Sequence, residues 1–149
     1  MLKPNYKNFL STMVKLLKEK KEIPVVTDQV SCPTSTSTLA LMCWEIIRKQ
    51  EVIFDCNKNP LPKFHCSDKG GASWYDVPKL ISRFGLEIGI FDRPSNICPI
   101  IPMTTKEFNS IAKRPLFSLL NCESSFKKIN FSSNNWEDEL YKNMKKIVL

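Results

Sequence analysis

Leu39, Ala40, Leu41, Met42, Cys43, Trp44, Ile46 and Ile47 follow one another with only Glu45 between them. A helix that is apolar on most faces has no side to offer water, so it belongs at the centre of a core with the rest of the chain packed round it. Ser35, Thr36 or Ser37 can cap its start. The run is far shorter than the roughly 20 apolar residues of a membrane span, and no other segment approaches that length.

Around this segment the pattern alternates between helices and short extended runs. Residues 4 to 20 place Tyr6, Phe9, Leu10, Met13, Leu16 and Leu17 at helical spacing, with Pro4 suited to the start. Ile23 to Val26 reads as an extended segment, which Pro24 assigns to an edge, and Thr27 to Ser37 as a polar loop. Val52 to Phe54 predicts a strand and Cys56 to Gly71 an irregular loop. Asp76 to Phe84 predicts a helix stopped by Gly85, and Leu86 to Phe91 a strand. Arg93 to Pro102 reads as a proline-rich connector. Thr104 and Glu107 have capping-box spacing for a helix running to Arg114. Pro115 to Leu120 and Phe126 to Phe131 predict strands. Asn134 to Val148 predicts a closing helix, with Glu137, Asp138 and Glu139 in its first turn and Lys145 and Lys146 near its end, as the helix dipole favours. This order is that of an α+β or α/β protein in one domain, residues 1–149.

The length of 149 residues is enough for one core without a metal or disulfide. Four glycines against ten prolines argue against a glycine-rich phosphate loop. The opening residues carry Lys3, Lys7 and Lys15 and lack the apolar stretch of about seven or more residues that a secretion signal needs. The six cysteines are therefore expected to be free thiols in the cytoplasm. The net charge of +7 admits nucleic acid or an acidic partner. Lys15, Lys18, Lys20 and Lys21 cluster near the end of the first helix, and Lys142, Lys145 and Lys146 in the last. No aromatic-basic stacking motif accompanies them, and a solvated surface explains them more simply.

Two clusters could carry chemistry. Cys32 lies just ahead of the apolar helix, where unpaired backbone N–H groups favour a thiolate, and Gln29 three residues earlier could donate to an oxyanion. Cys56, His65 and Cys66, with a distant Cys43 or Cys98, could be read as a zinc set. Their spacing is not a zinc spacing, and unlinked thiols are the expectation, so neither a metal nor a cofactor is expected. Trp44, Trp74 and Trp136 are expected in the core. Trp74 and Tyr75, beside Gly70 and Gly71, are alternatively an exposed partner contact.

The run IPVVTDQVSCPTSTSTLALMCWEII resembles the start of the bacteriocin-processing cysteine peptidases, which cut after double-glycine leaders. GGASWYDVPKLISRFGLEIGIF and MTTKEFNSIAKRPLFSLL resemble that family's later helices and Pro-led strand, so the likeness spans residues 23–120. It implies a papain-like α+β fold, with helices on a small, mainly antiparallel sheet and a buried central helix. It also implies Cys32 as nucleophile and Gln29 as oxyanion donor. Pro33 stands where the family commonly has glycine. The family's histidine follows the Pro-led strand, whereas the one histidine here is His65. The expectation is a degenerate, inactive peptidase domain acting through a protein partner. The alternatives are an active hydrolase using Cys32 and His65, or a small basic accessory protein, such as a viral one, binding a host protein or nucleic acid.

Overall fold

The computed structural model describes residues 8–50, 62–109 and 111–148. The first helix, α1 (Phe9–Glu19), is closed at its start by a capping box in which Asn8 Oδ1 accepts from Ser11 N at 2.8 Å. Its apolar stripe ends in Leu17, which is fully buried. The chain then enters β1 (Ile23–Val26), which pairs in parallel with β4 (Ile100–Met103) in the register Ile23 to Ile100 and Val26 to Met103. Between them lie β2 (Val30–Ser31), α2 (Thr36–Arg48), β3 (Ala72–Ser73) and α3 (Asp76–Glu87). After β4 come α4 (Thr105–Phe108), α5 (Glu123–Ile129) and α6 (Trp136–Val148).

The sheet expectation is corrected. The longer pair, β1 with β4, is parallel, and only the two-residue strands β2 and β3 run antiparallel. The intervening α3 makes this possible, because parallel strands need a long crossover. The second strand of the pair, β4, lies in what reads as a proline connector, since Pro99 and Pro102 mask the apolar pair Ile100–Ile101.

The central-helix expectation is corrected as well. The main core joins Met13 and Leu17 of α1, Ile23 and Val25 of β1, Ala72 of β3, Val77, Leu80 and Ile81 of α3, and Trp136 and Met144 of α6. No residue of α2 belongs to it. Met42 of α2 packs instead with Ile129, Phe64 and Phe126 in a smaller cluster, and Trp44 is 63% exposed. Ser35 caps α2, accepting from Thr38 N at 3.0 Å. Of the three tryptophans, Trp136 is buried, Trp74 is half-buried and Trp44 lies outside.

Four other expected elements differ. Pro115 to Leu120 is no strand and carries a single bridge, Phe117 to Val30. Leu86 to Phe91 is no strand, because α3 runs through Gly85 to Glu87. Phe91 folds back so closely on α3 that a Cβ on Gly85 would overlap its ring, so this glycine serves packing rather than the helix stop. The turn comes at Gly89, with φ +79. Phe126 to Phe131 is mostly α5, ended by Asn130 in the left-handed region. The helix after Thr104 stops at Phe108, where Asn109 takes φ 48. The strand expected at Val52–Phe54 and the thiol of Cys56 lie outside the described residues.

Candidate active-site cleft

Because β1 and β4 run in parallel, the chain leaves both at the same edge. Ligands of open α/β sheets bind outside this carboxyl edge. Thr27 continues the ladder, its N–H donating to Met103 O at 2.9 Å. The next residue, Asp28, accepts from Thr105 N at 2.9 and 3.0 Å through its two oxygens, and from Thr105 Oγ1 at 2.7 Å. Those bonds to the charged form hold the Asp28 carboxyl below its ordinary pKa.

Gln29 follows, 6% exposed. Its Nε2 donates to the same Thr105 Oγ1 at 3.0 Å, and its carbonyl accepts from Trp74 N at 3.3 Å. The single hydroxyl hydrogen of Thr105 is committed to Asp28, so the group reaching Thr105 from Gln29 must be a donor. This sets the amide orientation and leaves Oε1 without a protein partner among the described residues.

Gln29, Trp74 and Arg114 line two adjoining cavities. The larger, about 400 Å³, is otherwise mostly apolar, with Phe9, Met13, Phe108 and β1 in its wall. The smaller, about 210 Å³, is closed by Ser31, Pro115 and Ser118. Trp74 packs against Phe9, ring centroids 5.0 Å apart. Arg114 makes no ion pair among the described residues. Its segment is fastened to β2, since Val30 N donates to Leu116 O at 2.8 Å and Ser118 N to Val30 O at 2.9 Å. An apolar, aromatic floor with one oriented amide and one unpaired guanidinium suits a ligand with a planar or ring portion and an anionic portion.

The sequence model of the RmlD substrate binding domain matches residues 2–148. The chain belongs to that family. It is 28% identical over 134 residues to the spore coat polysaccharide biosynthesis protein SpsK of Bacillus subtilis, covering 89% of this chain and 40% of that one. It is 28% identical over 131 residues to the dTDP-4-dehydrorhamnose reductase of Escherichia coli K12, covering 87% and 41%. The crystal structure of the Clostridium acetobutylicum dTDP-4-dehydrorhamnose reductase superimposes with a TM-score of 0.76 and 29% identity over 97% of this chain and 45% of that one. The Bacillus anthracis enzyme, solved with NADP, gives 0.73 and 26% over 95% and 44%. The chain thus spans less than half the length of these relatives. Membership in the RmlD family overturns the papain-like fold, the peptidase expectation in both its inactive and active forms, and the viral accessory-protein alternative.

The RmlD chain brings Gln29 to the cleft but not to Cys32. The Cys32 thiol donates to Asp68 O at 2.7 Å, and burial pushes its pKa up. His65 is exposed, its backbone N–H donating to Ser125 Oγ at 2.8 Å. No hydrogen bond joins Cys32, Gln29 and His65 among the described residues. There, too, no group of three His, Cys, Asp or Glu side chains is arranged to hold a metal ion, and no helix is long and apolar enough to cross a membrane. Of the lysines read as clusters, Lys15 pairs with Glu19 and Lys142 with Glu139, while Lys18 lies over Phe91 and Lys145 over Tyr141.

Asp28, Thr105 and Arg114 escaped the sequence reading. A signal for Arg114 was present in Arg114-Pro115, since a residue before proline is held extended and away from helix. Asp28 and Thr105 are separated by 76 intervening residues, and only the parallel pairing of β1 with β4 brings them together.

Proposed function

We propose that this chain forms the sugar-nucleotide-binding part of an enzyme like dTDP-4-dehydrorhamnose reductase. The observation that carries the reading is the convergence of Gln29, Trp74 and Arg114 on one cleft at the carboxyl edge of a parallel strand pair. Arg114 donates to the phosphate oxygens of the substrate, Trp74 and Phe9 cover a ring face, and Gln29 Oε1 accepts from a hydroxyl or ring N–H. The biosynthetic role in the name of the Bacillus subtilis relative supports a cytoplasmic setting.

A nicotinamide dinucleotide is implied by the relative solved with NADP. The segments that leave the parallel strands do not fit one. The segments leaving β1 and β4, residues 27–36 and 104–108, contain no glycine. They therefore offer no Cβ-free backbone cradle for a pyrophosphate of the kind dinucleotide sites use. The residues of this chain bind and orient substrate.

Titration of the protein with dTDP in a calorimeter tests the reading. Saturable binding that Arg114→Ala weakens by about tenfold or more, as expected for a lost hydrogen bond to a charged group, supports it. Absence of binding, or equal binding by Arg114→Ala, overturns it.

A further inference from the structure

We infer that a second cavity, distinct in its lining from the cleft, binds a compact oxyanion of the phosphate-ester class. The cavity, about 730 Å³, lies between the segment leading into β3, α5 and the start of α6. Ser133 lines it and is 5% exposed. Its Oγ is the buried side-chain polar atom without a hydrogen-bond partner among the described residues. Buried hydroxyls are nearly always paired, so an orphan in a cavity wall calls for an acceptor or donor that the protein does not supply.

Several of the other groups around it are donors. Lys69 Nζ is held beside Ser133 by its bond to Ser132 Oγ at 3.0 Å, and Lys127 lines the same wall from α5. Ser67 adds a second buried hydroxyl, 3.4 Å from Cys122 Sγ. Gly70, at φ +92, and Gly71 also line the cavity, with Trp136 packed over the first and Leu119 over the second. Two carboxylates also border the cavity, but Asp68 is turned to α2. Its Oδ2 accepts from Ser35 N at 2.8 Å and its Oδ1 from Thr38 Oγ1 at 2.5 Å. Asp68 and Glu123 thus stand beside Lys69 and Lys127, with the Asp68 oxygens already taken up by Ser35 and Thr38. Donors arriving from several segments match the several acceptor oxygens of a tetrahedral oxyanion better than a single carboxylate plane.

The site is separate from Arg114 and stands whether or not the sugar-nucleotide reading does. The experiment is a titration of the nitrogen-15-labelled protein with inorganic phosphate at constant ionic strength, followed by amide shifts. Saturable shifts at Gly70, Gly71 and Ser133 are expected, unchanged in Arg114→Ala. Ser133→Ala is expected to lower the affinity about tenfold while leaving the melting temperature without phosphate equal or higher, because it removes an unsatisfied group. Lys127→Ala is expected to weaken binding without moving the melting temperature. Shifts confined to the Arg114 segment, or equal shifts in Ser133→Ala and wild type, would overturn the proposal and leave an adventitious ion only. An absence of shifts overturns it too.

Discussion

Gln29 Nε2 donates to Thr105 Oγ1 at 3.0 Å, and the same hydroxyl donates to Asp28 Oδ1 at 2.7 Å. One threonine thereby ties the two strand ends of the parallel pair and aims the Gln29 amide. Thr105→Val keeps the shape and removes both bonds. Because it strands a buried amide hydrogen, it should cost about 1–3 kcal/mol, read as a lower urea midpoint. Binding of dTDP should weaken as well. Unchanged stability would show that the chain Asp28–Thr105–Gln29 holds nothing together.

Gly85→Ala places a Cβ in the ring of Phe91. Overpacking of this kind costs about 1–3 kcal/mol, although alanine is otherwise the better helix residue at an ordinary position. A fall in melting temperature is expected, and Phe91→Leu added to Gly85→Ala should recover part of it. A gain in stability from Gly85→Ala alone would mean that Phe91 packs elsewhere.

The position of α2 makes a contrast between neighbours on one helix. Met42 is 3% exposed and Trp44 is mostly in solvent. Met42→Ala should cost about 2–5 kcal/mol, whereas Trp44→Ala should stay within about 0.5 kcal/mol. Chemical denaturation of both variants decides between a peripheral helix and a central one, for which the order would reverse.

The Cys66 thiol is pushed up to about 11 from 9.0, burial being the first cause and the neighbouring Cys122 the second. A pKa raised by folding means that the folded state keeps a proton the unfolded chain has lost. The associated stability is present below pH 9 and is lost as the pH climbs toward about 11. The urea midpoint should therefore fall across that window, and the fall should be shallower in Cys66→Ala. Identical slopes would remove Cys66 as a contributor. In the same window iodoacetamide should label exposed Cys43 before half-buried Cys32, whose thiol is also raised.

Local chemistry was legible in the sequence wherever a few adjacent residues decide the outcome. Ser35 caps α2, the Thr104–Glu107 capping box starts α4, and the acidic first turn and basic last turn of α6 lie where the dipole favours them. The apolar stripe of α1 also packs as its periodicity implies. Gln29 was singled out, but for a different chemistry. Its neighbours in space are Thr105, Trp74 and Arg114, none of which is near it in sequence.

What only the tertiary structure decided are the matters that depend on long-range pairing. An apolar run such as Leu39–Ile47 does not say how much of its surface a core will cover. Here the core forms between α1, α3, α6 and β1, and α2 is left on a side cluster. Gly85 looks like a helix stop until Phe91 is seen lying against it. Whether β1 pairs in parallel or antiparallel rests on a partner strand that begins at Ile100, with 73 residues intervening after the last residue of β1, Val26. The parallel choice puts both strand ends at one edge and so creates the cleft. Caps and periodicity are short-range and were written in the sequence, whereas burial and strand partnership are properties of the whole packed chain.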